Sequence, residues 1–310
     1  MATNIINLAD LDGSNGFRMD GTQEEAQAGR SVSNAGDVNG DGYADVIVSS
    51  DASYIVFGKA AGFDATLNLS SIDGSNGFRL DGNNEFLFGK SVSSAGDVNG
   101  DGFADVLVGA LFQGPDNGYV GSAYVVFGKA NGVSATLGSS TLNGSNGFRI
   151  NGAAAFDLTG WSVSNGGDVN GDGFDDLIVG AFGADPNGDS SGSSYVVFGK
   201  ADNFDATLNL SSLDGSNGFR LNGVAAYDNS GYSVSSAGDV NGDGFADLLV
   251  GAPRADSNGN YSGSSYVVFG KASGFDAALN LSSLDGSNGF RLDGPTGVAP
   301  YDYSFAGQVV

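Results

Sequence analysis

The sequence predicts an all-β fold: a β-propeller of four-stranded antiparallel blades, four of them complete, with a split or partial fifth. Three observations carry this. The chain repeats itself at a period of about seventy residues. Each repeat holds four short strand-like segments. The middle two are apolar on both faces, as strands covered on both sides must be.

The repeat is visible in two markers. NGFR ends at Arg18, Arg79, Arg149, Arg220 and Arg291, at intervals of 61, 70, 71 and 71 residues, and VFGK ends at Lys59, Lys129, Lys200 and Lys271. The shorter first interval has a local origin: Asp45 to Tyr54 spans 9 residues, whereas Asp105 to Tyr124, Asp176 to Tyr195 and Asp247 to Tyr266 each span 19. The length change falls in one loop, where solvent tolerates it. The 53 glycines and the 11% aromatic content suit short strands and tight turns rather than helices.

In the fourth copy the expected strands are GYSVSSAG (231–238), DLLVGA (247–252), SSYVVFG (264–270) and GFRLDG (289–294). The last alternates, with Phe290 and Leu292 to one side and Arg291 and Asp293 to the other, which suits an outer strand with one wet face. Between third and fourth lies a connection of the type AGFDATLNLSSIDGSNG, whose spaced leucines fit a crossing from one sheet to the next. Sheets covered on both faces need a neighbour on each side; radial packing supplies it, and a linear stack of sheets is the alternative.

The expected layout is one repeat domain over 1–310: a closing strand within 1–28, blade 1 at 29–82, blade 2 at 88–152, blade 3 at 160–223, blade 4 at 231–294, and the start of a next blade at 295–310. The N-terminal NGFRMDG reads as an outer strand, and the AGQVV that ends the sequence reads as the opening of a first strand. The N-terminal strand is therefore expected to complete the final blade, with its second and third strands supplied by further sequence or by another molecule. In the latter case head-to-tail contacts would build a filament.

Composition narrows the function. Twelve Lys and Arg against 36 Asp and Glu give a net charge of -24, which repels a phosphate backbone and argues against nucleic acid. Glu24, Glu25 and Glu85 are the only glutamates, so the acidity is aspartate, the residue of turns and metal loops. There is no cysteine and no histidine, which removes disulfide staples, the commonest general base and the usual zinc ligand. MATNIINLADLDG has neither a basic nor an apolar leader region, and no run is long enough to span a membrane.

The chemistry lies in DVNGDG[YF]xD, written four times directly before an apolar strand. Calcium takes six to eight hard oxygen ligands, and a short loop can wrap it only if glycine allows the sharp turn. Positions 1, 3, 5 and 9 supply side-chain oxygens and position 7 a backbone carbonyl. The expected ligands are Asp37, Asn39, Asp41, Tyr43 and Asp45; Asp97, Asn99, Asp101, Phe103 and Asp105; Asp168, Asn170, Asp172, Phe174 and Asp176; and Asp239, Asn241, Asp243, Phe245 and Asp247. A helical calcium hand needs a bidentate Glu at position 12, where this chain has Val48, Val108, Val179 and Val250. Magnesium, with its octahedral shell and retained waters, fits less well. About four Ca²⁺ are expected, at the weak end of the range, roughly 10⁻⁴ to 10⁻³ M. They would bring the net charge from -24 to -16.

GYSVSSAGDVNGDGFADLLVGAP together with GSSYVVFG resembles the FG-GAP repeat of integrin α-subunit propellers and their bacterial relatives. The resemblance covers nearly the whole chain. It implies blades whose inner strand starts at the FG element, a calcium loop between first and second strands, and a GAP element closing the second strand. Here the FG element reads AGRS, FGKS, TGWS and SGYS, and the GAP element reads SSD, GAL, GAF and GAP. The first copy, with Ser49 and Ser50, departs furthest and is expected to give the least regular blade.

Repetition without a chemically distinct site points to a calcium-stabilised extracellular adhesion or structural module, binding a protein or glycan at the cell surface or copies of itself. A lectin-like binder using the variable loops, with Tyr119 and Tyr261 as contacts, is the alternative. A hydrolase is disfavoured, since it would need acid or metal-water chemistry and no copy of the repeat offers a distinct extra acid except Asp175, beside Asp176. The repeated Arg of NGFR is expected to pair with aspartates of a neighbouring blade, the Lys of VFGK to blunt an edge or aid solubility, and Trp161 to pack.

Overall fold

The computed structural model describes residues 7–82, 87–111, 119–130, 134–201 and 204–295. Each repeat folds as one antiparallel sheet. Blade 1 comprises Val32–Gly36, Asp45–Ser49, Ser53–Val56 and Gly77–Asp81. Blade 2 comprises Ser91–Gly96, Asp105–Ala110, Ser122–Val126 and Gly147–Asn151; blade 3 comprises Val163–Gly167, Asp176–Ala181, Ser193–Val197 and Gly218–Asn222. Blade 4 comprises Ser233–Gly238, Asp247–Ala252, Ser264–Val268 and Gly289–Asp293. The first strands of successive blades pack side by side, so the sheets fan as propeller blades rather than stacking as a linear pile. Blade 1 is the least regular, its second and third strands each one residue shorter than in the other blades.

The connection between third and fourth strands does cross, and it adds a fifth strand that the sequence reading lacks. Thr136–Gly138 pairs in parallel with Gly77–Asp81 of blade 1, Thr207–Asn209 with Gly147–Asn151 of blade 2, and Ala278–Asn280 with Gly218–Asn222 of blade 3. Each blade is thus laced to the next by backbone hydrogen bonds at its outer edge, which also covers an edge that would otherwise invite foreign strands. The spaced leucines follow from the pairing: Leu137, Leu208 and Leu279 lie opposite Leu80, Ile150 and Leu221.

Alternation places the two faces of each middle strand in different cores. In blade 2, Val106, Val108, Tyr124 and Val126 pack with Ile47, Ile55 and Phe78 of blade 1, whereas Leu107 and Val125 pack with Leu177 and Val179 of blade 3. A third core joins Ile178, Val196 and Phe219 of blade 3 to Leu248, Val250 and Tyr266 of blade 4. The hydrophobic effect that stabilises a blade therefore operates between repeats.

Arg18–Asp20, the expected outer strand at the N-terminus, pairs in parallel with Thr66–Asn68 of the first repeat. It occupies the place that the outer strand of a preceding blade would take. Among the described residues no ladder joins it to blade 4. The expected partial blade from 295 onwards lies outside the described residues, apart from Pro295.

Candidate metal centres

The four DVNGDG loops connect first to second strands and share one internal hydrogen-bond pattern. In blade 2, Asp97 accepts from the Asp101 and Gly102 N–H groups at 3.1 and 2.9 Å, Asn99 Oδ1 accepts from Asp101 N–H at 2.9 Å, and Asp101 Oδ1 accepts from Phe103 N–H at 3.0 Å. The same bonds recur around Asp37, Asn39 and Asp41, around Asp168, Asn170 and Asp172, and around Asp239, Asn241 and Asp243. Asx side chains folded onto backbone amides two to five residues ahead close the loop from within. Glycine is required at positions 4 and 6, where φ is +72° and +88° at Gly100 and Gly102.

The aspartate at position 9 behaves differently. Asp45, Asp105, Asp176 and Asp247 open the second strand and are fully buried. Asp105 accepts from Val98 N–H at 3.0 Å with one oxygen and from Gly128 N–H at 2.9 Å with the other, tying the loop to the end of the third strand. Asp45, Asp176 and Asp247 make the matching pairs of bonds. Burial raises the carboxyl of Asp45 to about 6 and those of Asp105 and Asp176 to about 8, against the two N–H bonds that favour ionisation; the acids at positions 5 and 1 add to the rise.

Among the described residues no three of these acids already converge on one point, because each is held by loop amides that keep like charges apart. The donor set nonetheless suits a hard divalent cation: three carboxylates, an Asn side-chain oxygen and the position 7 carbonyl, all oxygen, on a loop whose two glycines permit a tight wrap. The carboxylates retain lone pairs beyond those engaged by N–H donors. The sequence-predicted ligands of each blade thus lie on one loop between its first and second strands, and among the described residues no three of its acids converge.

The loops of blades 1, 2 and 3 are also interfaces. Asp37 and Val38 carbonyls accept from Ala104 and Lys129 N–H groups of blade 2 at 3.1 and 2.9 Å. Asp97 and Val98 accept in the same way from Asp175 and Lys200, and Asp168 and Val169 from Ala246 and Lys271. The aromatic ring at position 7 closes this contact: a side chain at Gly40, Gly100 or Gly171 would run into Phe103, Phe174 or Phe245 of the next blade.

Other singled-out residues fall into structural roles. Arg79 pairs within its own blade rather than across a seam, with Asp81 at 3.1 Å and Asp51 at 3.7 Å. The physical reason is register, which puts Arg79 opposite Tyr54 and Arg149 opposite Tyr124, with the guanidinium carbons 6.0 and 5.6 Å from the ring centroids. Lys59, Lys200 and Lys271 lie over Phe63, Phe204 and Phe275 at 4.7 to 4.9 Å. Trp161 packs, as expected, against Phe182 and under the Lys90 ammonium at 3.8 Å. The sequence reading missed the exposed aromatics Phe156 and Tyr227, which stand with Tyr261 on the loops of blades 3 and 4; their signal was an aromatic within a polar turn.

The FG-GAP repeat family matches residues 28–63, 88–126, 159–197 and 230–268, each span running from the start of a first strand to the third strand of its blade. The chain is 32% identical over 162 residues to integrin alpha-PS5 of Drosophila melanogaster, covering 49% of this chain and 14% of the relative. It is 31% identical over 170 residues to integrin alpha-4 of Xenopus laevis, covering 55% and 15%, and 32% identical over 175 residues to integrin alpha-V of Gallus gallus, covering 54% and 16%. The aligned part is thus a small fraction of these relatives' length. Four repeats matched in sequence, each folded as one propeller blade with the acidic loop between its first two strands, make this chain an FG-GAP repeat protein, similar to the integrin α chains.

Proposed function

We propose that the chain is a calcium-binding propeller module that recognises a protein ligand at the cell surface or in the extracellular space. The observation that carries this reading is the fourfold recurrence of one oxygen-rich loop between first and second strands, three of the four lying at a seam between blades. Three carboxylates per loop repel one another, and a divalent cation would relieve that repulsion while bracing the backbone that the next blade hydrogen-bonds. Binding free energy then becomes folding free energy. The proposal assigns the ion an architectural role and no catalysis. Similarity to integrin alpha chains supports a ligand-binding role. No helix among the described residues is long and apolar enough to cross a membrane, and the acidic surface disfavours nucleic acid.

Thermal melts with calcium and with a chelator test it. Occupancy of four sites at 100 times their Kd would add about 2.7 kcal/mol per site, so the midpoint should rise by many degrees in calcium and fall with chelator. An unchanged midpoint defeats the proposal.

A glycan ligand is the second reading. Phe156, Tyr227 and Tyr261 are 62%, 58% and 43% exposed, and all three have positive φ, 69°, 68° and 54°, a strained state for aromatic residues that turns rings toward solvent. Tyr227 is braced by its hydroxyl donating to Asp189 at 2.9 Å. A glycan array at saturating calcium should light up for the intact chain and dim for Tyr227→Ala; a blank array removes this reading.

A further inference from the structure

Asp175 is the one acid that breaks the loop pattern, standing at position 8 where the other three loops have Ala44, Ala104 and Ala246. Its side chain does not serve its own loop. It crosses the seam, and its Oδ2 accepts the N–H of Asp97, the first residue of the blade 2 loop, at 2.8 Å. The return bond, Asp175 N–H to the Asp97 carbonyl at 3.2 Å, makes the contact reciprocal. The carboxylate lies over Gly96, where any side chain would collide with it and with the Asn165 amide. At the two sister seams the methyl groups of Ala104 and Ala246 take that place over Gly36 and Gly167, with the Ser94 and Ser236 hydroxyls farther off at 3.7 and 3.6 Å. The backbone bond from position 8 to the position 1 carbonyl persists there, but among the described residues no side chain accepts the Asp37 or Asp168 N–H in return.

Resting on the calcium reading above, we infer that Asp175 is a positioning residue of the blade 2 loop, donated by blade 3, and that it makes this loop the tightest of the four calcium sites. Two effects act together. The hydrogen bond fixes the backbone of Asp97, whose carboxylate heads the ligand set, and so lowers the ordering cost of binding. The fourth negative charge joins Asp97, Asp101 and Asp105 at a distance of several ångströms, and in a solvent-exposed setting a unit charge there changes the affinity for a divalent ion by about three- to tenfold. Calcium in loop 2 and the docking of blade 3 are then linked, each favouring the other by the same factor.

The test follows the four loops separately by ¹H–¹⁵N NMR of the full chain during titration with calcium. The amides of Gly42, Gly102, Gly173 and Gly244, each donating to the position 1 carboxylate, are the reporters. Gly102 should respond at the lowest calcium concentration. Asp175→Asn keeps an acceptor for Asp97 N–H and removes the charge; it should raise the Gly102 midpoint about three- to tenfold and leave Gly42 and Gly244 within about twofold. Ala246→Asp should install the same device at the next seam and lower the Gly173 midpoint by a similar factor. An unmoved Gly102 midpoint, or an equal shift at all four glycines, overturns the inference. Glycines that respond normally except for Gly102 defeat this inference alone, whereas four silent glycines overturn it together with the calcium reading.

Discussion

Loops 3 and 4 have the same DVNGDGF sequence and the same internal hydrogen bonds, yet their surroundings differ. Val169 is 1% exposed and Val240 is 50% exposed. Gly171 lies against the Phe245 ring, while no atom lies within 4 Å of the Cβ position of Gly242. The carbonyls of Asp168 and Val169 accept from Ala246 and Lys271; among the described residues those of Asp239 and Val240 accept nothing equivalent. A loop of nine residues therefore closes by itself, and what the neighbouring blade adds is burial and rigidity. The difference teaches that the seam is the energetic unit of this fold, as in other arrays where each repeat touches only its neighbours.

The largest test of that comparison lies in the cores. Phe148 of blade 2 is fully buried and stacks on Phe204 at 4.5 Å, a residue of the following repeat. Its counterpart Phe290 in blade 4 has Phe269 of its own blade at 6.0 Å and remains half-buried. Phe148→Ala should cost about 3–5 kcal/mol and Phe290→Ala no more than about half of that, read from denaturant midpoints at constant slope. Equal losses would mean that a blade is stabilised mainly from within.

Much of this architecture was legible in the sequence. Period, strand positions and the place of the acidic loops depend on patterns only a few residues long, such as the alternation of Phe290, Arg291 and Leu292 or the spacing of Asp97, Asn99 and Asp101. What was not legible depends on register between distant segments. The fifth strand pairs Leu137 with Leu80, and Asp175 finds Asp97 78 residues away. The partner of Arg79 was misjudged for the same reason: only the pairing of Tyr54 with Arg79 shows that the guanidinium stays within its blade.

A smaller effect separates the glycines at position 4. Gly171 and Gly242 have nearly equal φ, +75° and +76°, so alanine at either costs about 1 kcal/mol in backbone strain. At Gly171 the new methyl also strikes the Phe245 ring, an overpacking that adds about 1–3 kcal/mol. Gly171→Ala should therefore lower the thermal midpoint clearly more than Gly242→Ala. The two variants becoming indistinguishable would show that the ring swings away at little cost.

The smallest predicted effect tests whether burial outside the DVNGDG loops has the same consequence. Asp157, in the segment leading into blade 3, is 7% exposed; burial raises its carboxyl to about 6, the Asp185 charge adds to the rise, and the Ala154 N–H and Arg220 oppose it. A group whose pKa is higher folded than unfolded binds its proton more tightly in the fold, so its contribution favours folding at low pH and is lost as pH rises from about 4 to about 6. Asp157→Asn can still accept from Ala154 N–H and has no proton to lose. Solvent screening brings the expected gain to about 1–2 kcal/mol above pH 6, with no difference from the parent chain below pH 4. At fixed calcium, the variant-minus-parent stability plotted against pH should therefore be a single step between those limits. A flat difference would mean that Arg220 already neutralises the charge, and that desolvation outside the DVNGDG loops has no part in setting the stability of the seam.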